Sequence, residues 1–413
     1  MFHDYTESGP SILGGDERKI RAKFRLSPAN TTIANTLRRQ ILVGVPSVGF
    51  RTEPYEASEV EIMRNTTPLV NEMLAHRIGM IPITADPHTF DPARYTFVID
   101  KENDGKAIIP IHASDFTVFE KDPANPLDEG RIVPTNTFFP PDPLTGDTCL
   151  ITILRPQWNP IAPHEHLTLK ARAAISTGAE NSRWSPVSQC SFENTLDENE
   201  ERRSAMFTTW LATTKKINEP STLGDERLAE LRREYNTMEV QRCFLVNDAG
   251  EPYDFTFYIE SVGTRSVPDC VRDGIQSCID MLTKYQDVDG VIPDNVAIQP
   301  GDARFPCVDF IFRGEGHTLG NLLQHYLVTQ HVEGAEEPRI TYAGYKVPHP
   351  LKAEMFVRVG VSNEIGDPEA EQQTARLAVA KVCRSLKAYF KEMLASWFTL
   401  QNPTTAATAT EPI

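Results

Sequence analysis

The pattern of polar and apolar residues near the start of the chain predicts a strand followed directly by an amphipathic helix. Residues 17–29, ERKIRAKFRLSPA, place apolar side chains at every second position, as a strand with one buried face does. In residues 32–41, TIANTLRRQI, the apolar positions instead recur with the 3.6-residue period of a helix. The predicted buried face of this helix consists of Ile33, Leu37 and Ile41, and its polar face carries Asn35, Arg38 and Arg39.

The same order of elements recurs late in the chain. CVDFIF at 307–312 predicts a strand, and HTLGNLLQHYL at 317–327 predicts a helix whose apolar face includes Leu319, Leu322 and Leu323. Aligned on Thr32 and Thr318, both helices read Thr, aliphatic, small, Asn, any residue, Leu. Two amphipathic helices can match in this way by chance, and the alternative is an internal repeat.

If the repeat is real, each shared position has a physical role. We expect the two threonines to cap their helices and the small residues, Ala34 and Gly320, to allow close helix packing. The polar Asn35 and Asn321 would fix the register of the packed helices through hydrogen bonds.

Each half of the chain also ends in a predicted amphipathic helix. Residues 268–286 place Val271 and Ile275 at helical spacing, and 368–398 read as one long helix. In the long helix the apolar residues step by three and four, as in a coiled coil, at Val379, Val382, Leu386, Tyr389 and Met393. Such a seam needs a partner helix, so we predict two related α+β modules that pack about a pseudo-twofold axis.

Between these helices the composition changes several times. Proline-rich residues 86–165, broken by short apolar runs, predict a β-rich domain with long loops, preceded by a short helix in 69–83 with Leu69, Met73, Leu74 and Ile78 on one face. The charged stretch 196–234 is predicted to be an exposed, partly helical excursion, that is, a segment that extends from the module into solvent. We predict a first module at 1–50 and 191–286, an inserted β-rich domain at 51–190, a flexible linker at 287–304, a second module at 305–398 and a disordered tail at 399–413.

Charge and cysteine content narrow the possible functions. The net charge of -16 predicts no strong direct binding to nucleic acid, because that affinity comes from clustered Lys and Arg. No stretch is apolar enough to predict a membrane span or a signal peptide, so we expect an intracellular protein. Seven scattered cysteines without Cys-x-x-Cys predict buried thiols rather than a zinc site. No phosphate-binding loop or HExxH motif occurs, and we expect no cofactor and no catalytic site.

Long sequence blocks resemble subunits of multisubunit RNA polymerases. ANTLRRQILVGVPSVGF with LVNEMLAHRIGMIPI, and later RWSPVSQCSFE and FYIESVGTRSVPDCVRDGI, are similar to the third-largest subunit of RNA polymerase II, the archaeal D subunit and, more distantly, the bacterial alpha subunit. FRGEGHTLGNLLQHYL with YAGYKVPHPLKAEMFVRV is similar to its small partner, the eleventh subunit or archaeal L. The presence of both sets of sequence blocks in one chain resembles the fused subunit of polymerases encoded by large nucleocytoplasmic DNA viruses.

The resemblance implies a non-catalytic assembly subunit that folds as an intramolecular pseudo-heterodimer, with no homodimer expected. It would seat the second-largest polymerase subunit, then the largest, with small zinc-bearing subunits like the tenth and twelfth at its periphery. The implied docking residues are Asn35, Arg38, Arg39, Trp184 and Pro186. The eukaryotic third subunit carries a zinc-binding cysteine cluster, but residues 50–185 contain only Cys149, so no metal site is expected here.

The residues by themselves leave two other functions open. An enzyme with its site in 86–190 would need clustered nucleophiles, bases or ligands, and the sequence shows none of these. A free-standing binding module, such as a decoy that captures a polymerase catalytic subunit, would present the same docking surface. A viral protein would act in the cytoplasm of the host or in the virion, and a cellular one in the nucleus.

Overall fold

The computed structural model describes residues 1–9, 19–122, 124, 130–143, 145–159, 161, 163–219, 223–301, 305–362 and 366–401. Its helices are α1 (Thr31–Val43), α2 (Asn71–Gly79), α3 (Glu200–Thr213), α4 (Asp225–Met238), α5 (Val267–Thr283), α6 (His317–Tyr326) and α7 (Pro368–Gln401). Its strands are β1 (Phe2–Ser8), β2 (Arg21–Leu26), β3 (Pro46–Phe50), β4 (Val60–Asn65), β5 (Tyr95–Asn103), β6 (Ile109–His112), β7 (Thr117–Glu120), β8 (Arg131–Val133), β9 (Leu150–Leu154), β10 (Glu165–Ala171), β11 (Ala173–Thr177), β12 (Val187–Asn194), β13 (Phe255–Ser261), β14 (Val296–Pro300), β15 (Cys307–Arg313), β16 (Tyr342–Lys346) and β17 (Glu354–Gly360). No helix among the described residues is both long enough and apolar enough to cross a membrane.

The first sheet is antiparallel, with strand order β1-β2-β13-β12, and helices α1 and α5 pack against it. In β2 the alternation predicted from the sequence buries Ala22, Phe24 and Leu26. Phe24 stacks on Phe257 of the neighbouring strand, with ring centroids 5.1 Å apart. The edge strand β1 was not expected from the sequence, because its polar residues alternate with few apolar ones.

A second antiparallel sheet near the end of the chain has the order β14-β15-β17-β16. Helix α6 follows β15 and continues as a π-helical segment, Leu327–Val332, before the chain returns to β16. Strand, helix and strands therefore follow one another here as they do around α1. The long helix α7 begins at Pro368, as predicted, and continues through 399–401, so the predicted tail starts later than residue 399. The tail beyond 401 lies outside the described residues.

The chain between β3 and β11 builds a separate hydrophobic core. Its five-stranded sheet has the order β4-β10-β5-β7-β8, accompanied by the pairs β6-β9 and β3-β11. Aromatic rings fill this core, with Phe97 contacting Phe50, Phe116, Phe138 and Phe139. The side of α2 that faces the core carries Leu74 and Ile78, whereas Met73, predicted on the same face, is 59% exposed.

The charged excursion forms a helical hairpin of α3 and α4 with a small core of its own. Phe207, Trp210 and Tyr235 pack there with ring centroids 5.3 to 6.0 Å apart. The low apolar content of the segment conceals this arrangement in the sequence, because the core of the hairpin is small, with five buried side chains among the residues that the structure describes.

The segment 287–304 is not the flexible linker that was predicted, although 302–304 lie outside the described residues. Val288 is fully buried, and β14 joins the second sheet by pairing with β15. Arg384 of α7 donates hydrogen bonds to the Asp289 carboxylate at 2.7 and 2.9 Å, and Arg376 donates to the Val288 carbonyl oxygen at 2.8 Å. The proline, glycine and aspartate residues of this segment are therefore explained by turns next to the edge strand β14.

The predicted roles of three repeat positions also need correction. Asn30, not Thr32, caps α1 by accepting a hydrogen bond from the Ile33 backbone N–H. Helix α6 starts after Gly316 without a side-chain cap. A Cβ on Gly320 would lie 2.4 Å from the Tyr345 ring, so this glycine makes room for β16 rather than for another helix.

Candidate assembly interface

The helices of the two strand–helix units share one continuous hydrophobic core. Helix α5 packs along α7, and α1 contacts both α5 and α6. The residues predicted for this interface that are buried in this core are Ile33, Leu37, Ile41, Val271, Ile275, Leu319, Leu322, Leu323, Val382, Leu386 and Met393. Tyr389 is only partly buried, because the buried seam of α7 passes through the neighbouring Phe390.

Trp397 fixes the end of α7 on the first sheet. Its side chain is 1% exposed, and its ring lies 4.9 Å from that of Phe2 and 5.4 Å from those of Tyr5 and Phe24. The indole N–H donates to the Pro268 carbonyl oxygen at the start of α5, over 3.2 Å. Burial of the ring with its N–H paired makes this residue an anchor between the two units. The predicted seam stopped at Met393, but the same steps of three and four residues extend it to Trp397.

Polar side chains cross the interface beside the apolar core. The Asn30 amide nitrogen lies 3.2 Å from His325 Nε2 and donates to the Tyr326 hydroxyl over 3.1 Å. Tyr389 donates to the Pro28 carbonyl oxygen over 3.3 Å. Burial lowers the pKa of His325, which favours the neutral ring at this contact. These contacts pair specific residues of the two units beside the apolar core.

Helices α1 and α5 approach each other closely at a glycine. A Cβ on Gly274 would lie 2.5 Å from Ile41 Cγ1 and 3.3 Å from the Ile41 backbone nitrogen. One turn away, Ser277 donates to the Gln40 amide oxygen over 2.8 Å. The glycine therefore sets the distance between the helices, and the polar pair satisfies a buried amide beside it.

The candidate docking arginines of α1 have different surroundings. Arg38 donates from Nε and Nη2 to the Asn35 amide oxygen at 3.0 and 2.9 Å, so Asn35 holds Arg38 in place and does not bridge two helices. Arg39 donates from Nε to the Thr318 hydroxyl of α6 over 2.7 Å. Neither guanidinium has a carboxylate within 4.0 Å in the part of the chain that the structure describes. Both are partly exposed.

Trp184 and Pro186, the other candidate docking residues, are buried. The Trp184 ring packs on Gly49 of β3, where a Cβ would lie 3.0 Å from it, and the Arg51 guanidinium lies over the ring at 5.7 Å. The Pro186 carbonyl oxygen accepts from the Val262 N–H over 3.0 Å. Burial leaves neither side chain free to contact a partner directly, so each can only support a surface formed by its neighbours.

A buried ion pair of the first unit contacts the β-rich part through His88. Arg265 and Asp273 contact each other at 2.6 Å with side chains only 5% and 6% exposed. His88, from the β-rich part, lies 2.9 Å from the same carboxylate, and Arg272 donates to its other oxygen at 2.9 Å. Burial raises the pKa of the Asp273 carboxyl, but hydrogen bonds from Arg272 and His88 and the charge of Arg265 outweigh it and leave the pKa below its usual range.

The continuous apolar core with hydrogen bonds beside it is an arrangement suited to protein association. Among the described residues, no group of three or more His, Cys, Asp or Glu side chains could hold a metal ion. The buried thiols Cys190, Cys270 and Cys383 have pKa values raised by burial to about 12, so they are not nucleophiles at neutral pH.

Residues 307–396 match the family model of the RNA polymerase Rpb3/Rpb11 dimerisation domain. The chain is 26% identical to DNA-directed RNA polymerase subunit Rpo3 of Thermococcus kodakarensis over 41% of its own length, and 25% identical to subunit RPAC1 of RNA polymerases I and III of Saccharomyces cerevisiae over the same share. It spans about half the length of these two relatives, 54% and 52%. With Rpo3 of Methanopyrus kandleri the identity is 26% over 64% of this chain and 90% of the relative. These similarities support the prediction of an Rpb3-like RNA polymerase subunit.

Proposed function

We propose that this chain is a non-catalytic assembly subunit of a multisubunit DNA-directed RNA polymerase, in which an Rpb3-like and an Rpb11-like unit are fused as an intramolecular pseudo-heterodimer. The single observation that carries the proposal is the shared core of α1, α5, α6 and α7. The match to a dimerisation domain includes all of α6 and α7 as far as residue 396. In this proposal the β-rich part is a domain inserted into the first unit. Because each unit buries its helices against the other, the chain needs no second copy.

The fused arrangement gives the subunit a fixed platform. Trp397, Asn30 and Tyr389 tie the units together at separated points, so the relative position of α1 and α6 is set before any partner binds. A preformed surface binds without the ordering cost that a flexible one incurs. We propose that the second-largest polymerase subunit docks first, the largest subunit follows, and the small zinc-bearing subunits attach at the periphery.

Arg38 is the docking contact that the geometry favours. Its guanidinium is held by Asn35, partly exposed and without a carboxylate partner among the described residues. An arginine oriented in this way suits bidentate pairing with a carboxylate of another protein. Arg39 also bonds Thr318 within the chain, so we assign it a second role in holding α6 beside α1.

Affinity isolation of the tagged chain from the cells in which it is expressed tests the assembly role. Mass spectrometry should identify two large catalytic subunits, and the isolated complex should synthesise RNA in a promoter-independent assay. Arg38→Glu should leave the chain folded and weaken capture of the second-largest subunit by at least about tenfold, since losing one partner of an interfacial charge pair costs about 2–5 kcal/mol.

Arg172→Glu is the matched control, because Arg172 is exposed on the β-rich part and far along the chain from α1. Undiminished capture by Arg38→Glu would place docking elsewhere. Recovery of the chain with one host catalytic subunit and without RNA synthesis would favour the second candidate, a decoy that captures a polymerase subunit. For a viral protein, the complex would act in the cytoplasm of the host or in the virion, and for a cellular one, in the nucleus.

A further inference from the structure

A groove of about 710 Å³ lies outside the assembly interface, beside the five-stranded sheet. It is lined by β4, by residues 52–58 before it, and by α2. Strand β4 stands at the end of the sheet, and within the described ranges it pairs with β10 on one side only. A strand edge of this kind presents backbone N–H and C=O groups that can pair with another extended chain.

The lining residues show that the groove follows this strand edge. Val60, Glu61 and Ile62 all line it, although neighbouring residues of a strand point to opposite faces of the sheet. A cavity touched by three consecutive residues therefore runs along the edge and not over one face. The opposite wall is one side of α2, where Glu72 and His76 are spaced four residues apart.

The first outward-facing backbone groups of β4 are already hydrogen-bonded within the chain. The Ser58 hydroxyl accepts from the Val60 N–H over 3.3 Å and donates to the Val60 carbonyl oxygen over 3.2 Å. Outward-facing backbone groups alternate along an edge strand, so the next outward pair belongs to Ile62. The register between β4 and β10 shifts after Ile62, and the groove also ends there, so the alternation is followed only as far as this residue. A guest strand would therefore pair with β4 at Ile62.

The groove combines an acidic rim with apolar contacts. Four glutamates line it, Glu53, Glu56, Glu61 and Glu72, and all are exposed. Glu53 lies 3.3 Å from Arg183, whereas the other three have no basic partner within 4.0 Å in the described part of the chain. Between them Tyr55 is 89% exposed, and Val60, Ile62 and Ala75 supply further apolar surface.

We propose that this groove binds an extended segment of a partner polypeptide, bearing lysine or arginine, as an added strand on β4. Backbone pairing supplies affinity, the glutamates select the positive charges, and Tyr55 contacts an apolar side chain of the guest. A second copy of this chain is a poor occupant, because its net charge is -16 and the groove itself is acidic. The proposal does not depend on the assembly role.

The test measures binding of fluorescein-labelled acetyl-KVKVKVKV-amide to the full chain by fluorescence anisotropy. Saturable binding is expected, and acetyl-EVEVEVEV-amide should not bind. The peptide acetyl-KPKPKPKP-amide has the same charge but lacks half of the N–H donors, so it should bind at least about tenfold more weakly. Hydrogen exchange should slow in 60–65 when the Lys/Val peptide is bound. Equal binding of the proline peptide would show that charge alone attracts the probe, and it would overturn strand addition.

Two double variants locate the site. Glu61→Lys with Glu72→Lys should weaken binding at least about tenfold, because attraction at both walls becomes repulsion. Glu251→Lys with Glu336→Lys changes the net charge equally at exposed positions away from the groove, and it should leave binding within about twofold. Equal losses in both variants, or self-association of the chain that depends on Glu61 and Glu72, would overturn the proposal. Thermal melting checks that each variant is folded.

Discussion

Arg39 of α1 donates a hydrogen bond to the hydroxyl of Thr318 in α6, with 2.7 Å between Nε and Oγ1. The two residues belong to the two copies of the repeated sequence motif, so the copies meet in space. The threonine that was expected to cap its helix instead accepts from the opposite helix. The repeated motif thus contributes to the contact between the two units as well as to local helix formation.

The Arg39–Thr318 hydrogen bond should show measurable coupling. Arg39→Ala and Thr318→Val are expected to destabilise the chain individually, and the double variant by less than their sum, with a coupling energy of about 0.5–1.5 kcal/mol. The expected coupling energy lies below the about 1.5–3 kcal/mol of hydrogen bonds to charged groups, because both side chains are partly exposed. A urea-unfolding double-mutant cycle measures it, and strict additivity would show that the bond contributes nothing.

Removal of the Trp397 side chain should be among the most damaging single changes. Trp397→Ala leaves a cavity beside Phe2 and Phe24 and is expected to lower the free energy of unfolding by about 3–5 kcal/mol. Trp158→Ala is the matched control, because that ring is 86% exposed, and its effect should stay within about 0.5 kcal/mol. Comparable urea midpoints for the two variants would contradict the anchoring role.

Gly274→Ala tests whether helix propensity or helix packing dominates at this position, because the two predict opposite changes in the free energy of unfolding. Propensity alone predicts a gain of about 1 kcal/mol, since alanine is the better helix former. The new Cβ would lie 2.5 Å from Ile41 Cγ1, however, so the net change is expected to be a loss of about 1–3 kcal/mol. Gly290→Ala, where the nearest atom is 3.7 Å away, provides the control in the same thermal-unfolding series. Stabilisation by Gly274→Ala would mean that α1 and α5 can move apart freely.

The lowered pKa of Asp273 predicts an acid-sensitive junction. Because its folded-state pKa lies below the unfolded value of about 3.9, the carboxylate contributes stability above that pH and loses the contribution as the pH falls through the folded value. Asp273→Asn should therefore flatten the decline in unfolding free energy below about pH 4. At neutral pH it should cost about 3–5 kcal/mol, because Arg265 stays buried without its partner.

Asp294→Asn is the control in this series, because it makes the same Asp-to-Asn change at an exposed position. An unchanged slope of stability against pH in Asp273→Asn would show that other carboxyls dominate acid unfolding. The slope is measured by urea unfolding at several pH values.

The proposed pseudo-heterodimer predicts that the two units associate without a covalent link. A chain broken after Gly301 should give two polypeptides that co-purify on co-expression, because α5 and α7 bury a shared core and β14 still pairs with β15. Introducing Trp397→Glu into the second piece should abolish co-purification, since an unpaired charge cannot remain buried there. Pieces that fold and stay apart would contradict the proposal.

Local patterns were sufficient to predict the helices of the two units and the strands that precede α1 and α6. The periodicity of β2, α1, α5, α6 and α7 is strong because each presents one face to a deep core, and burial of one face is what creates such a period. The edge strands β1 and β14 were not predicted, since they pack on one side only and carry polar residues or turn residues. The hairpin of α3 and α4 was recognised only as an exposed excursion, because few of its side chains are buried.

Site residues were harder to predict, for a physical reason that Trp184 and Tyr389 illustrate. A motif identifies candidate residues, but the tertiary packing decides their burial. Gly49, distant in sequence, receives the Trp184 ring, and the adjacent Phe390 takes the buried position expected for Tyr389. The asymmetry between Arg38 and Arg39 is of the same kind. Both are adjacent arginines on a polar helix face, and only the position of Thr318 distinguishes them.

The sequence by itself determined where the two similar strand–helix patterns lie, that their helices carry apolar seams requiring partners, and that no phosphate-binding loop motif accompanies them, since these are properties of local order and residue type. Only the tertiary structure decided which helix each seam contacts, which strand stands at the edge of the β-rich sheet and which arginine of α1 bonds to the opposite helix. Those outcomes depend on distances between residues hundreds of positions apart, such as Phe2 and Trp397, and no local pattern specifies them.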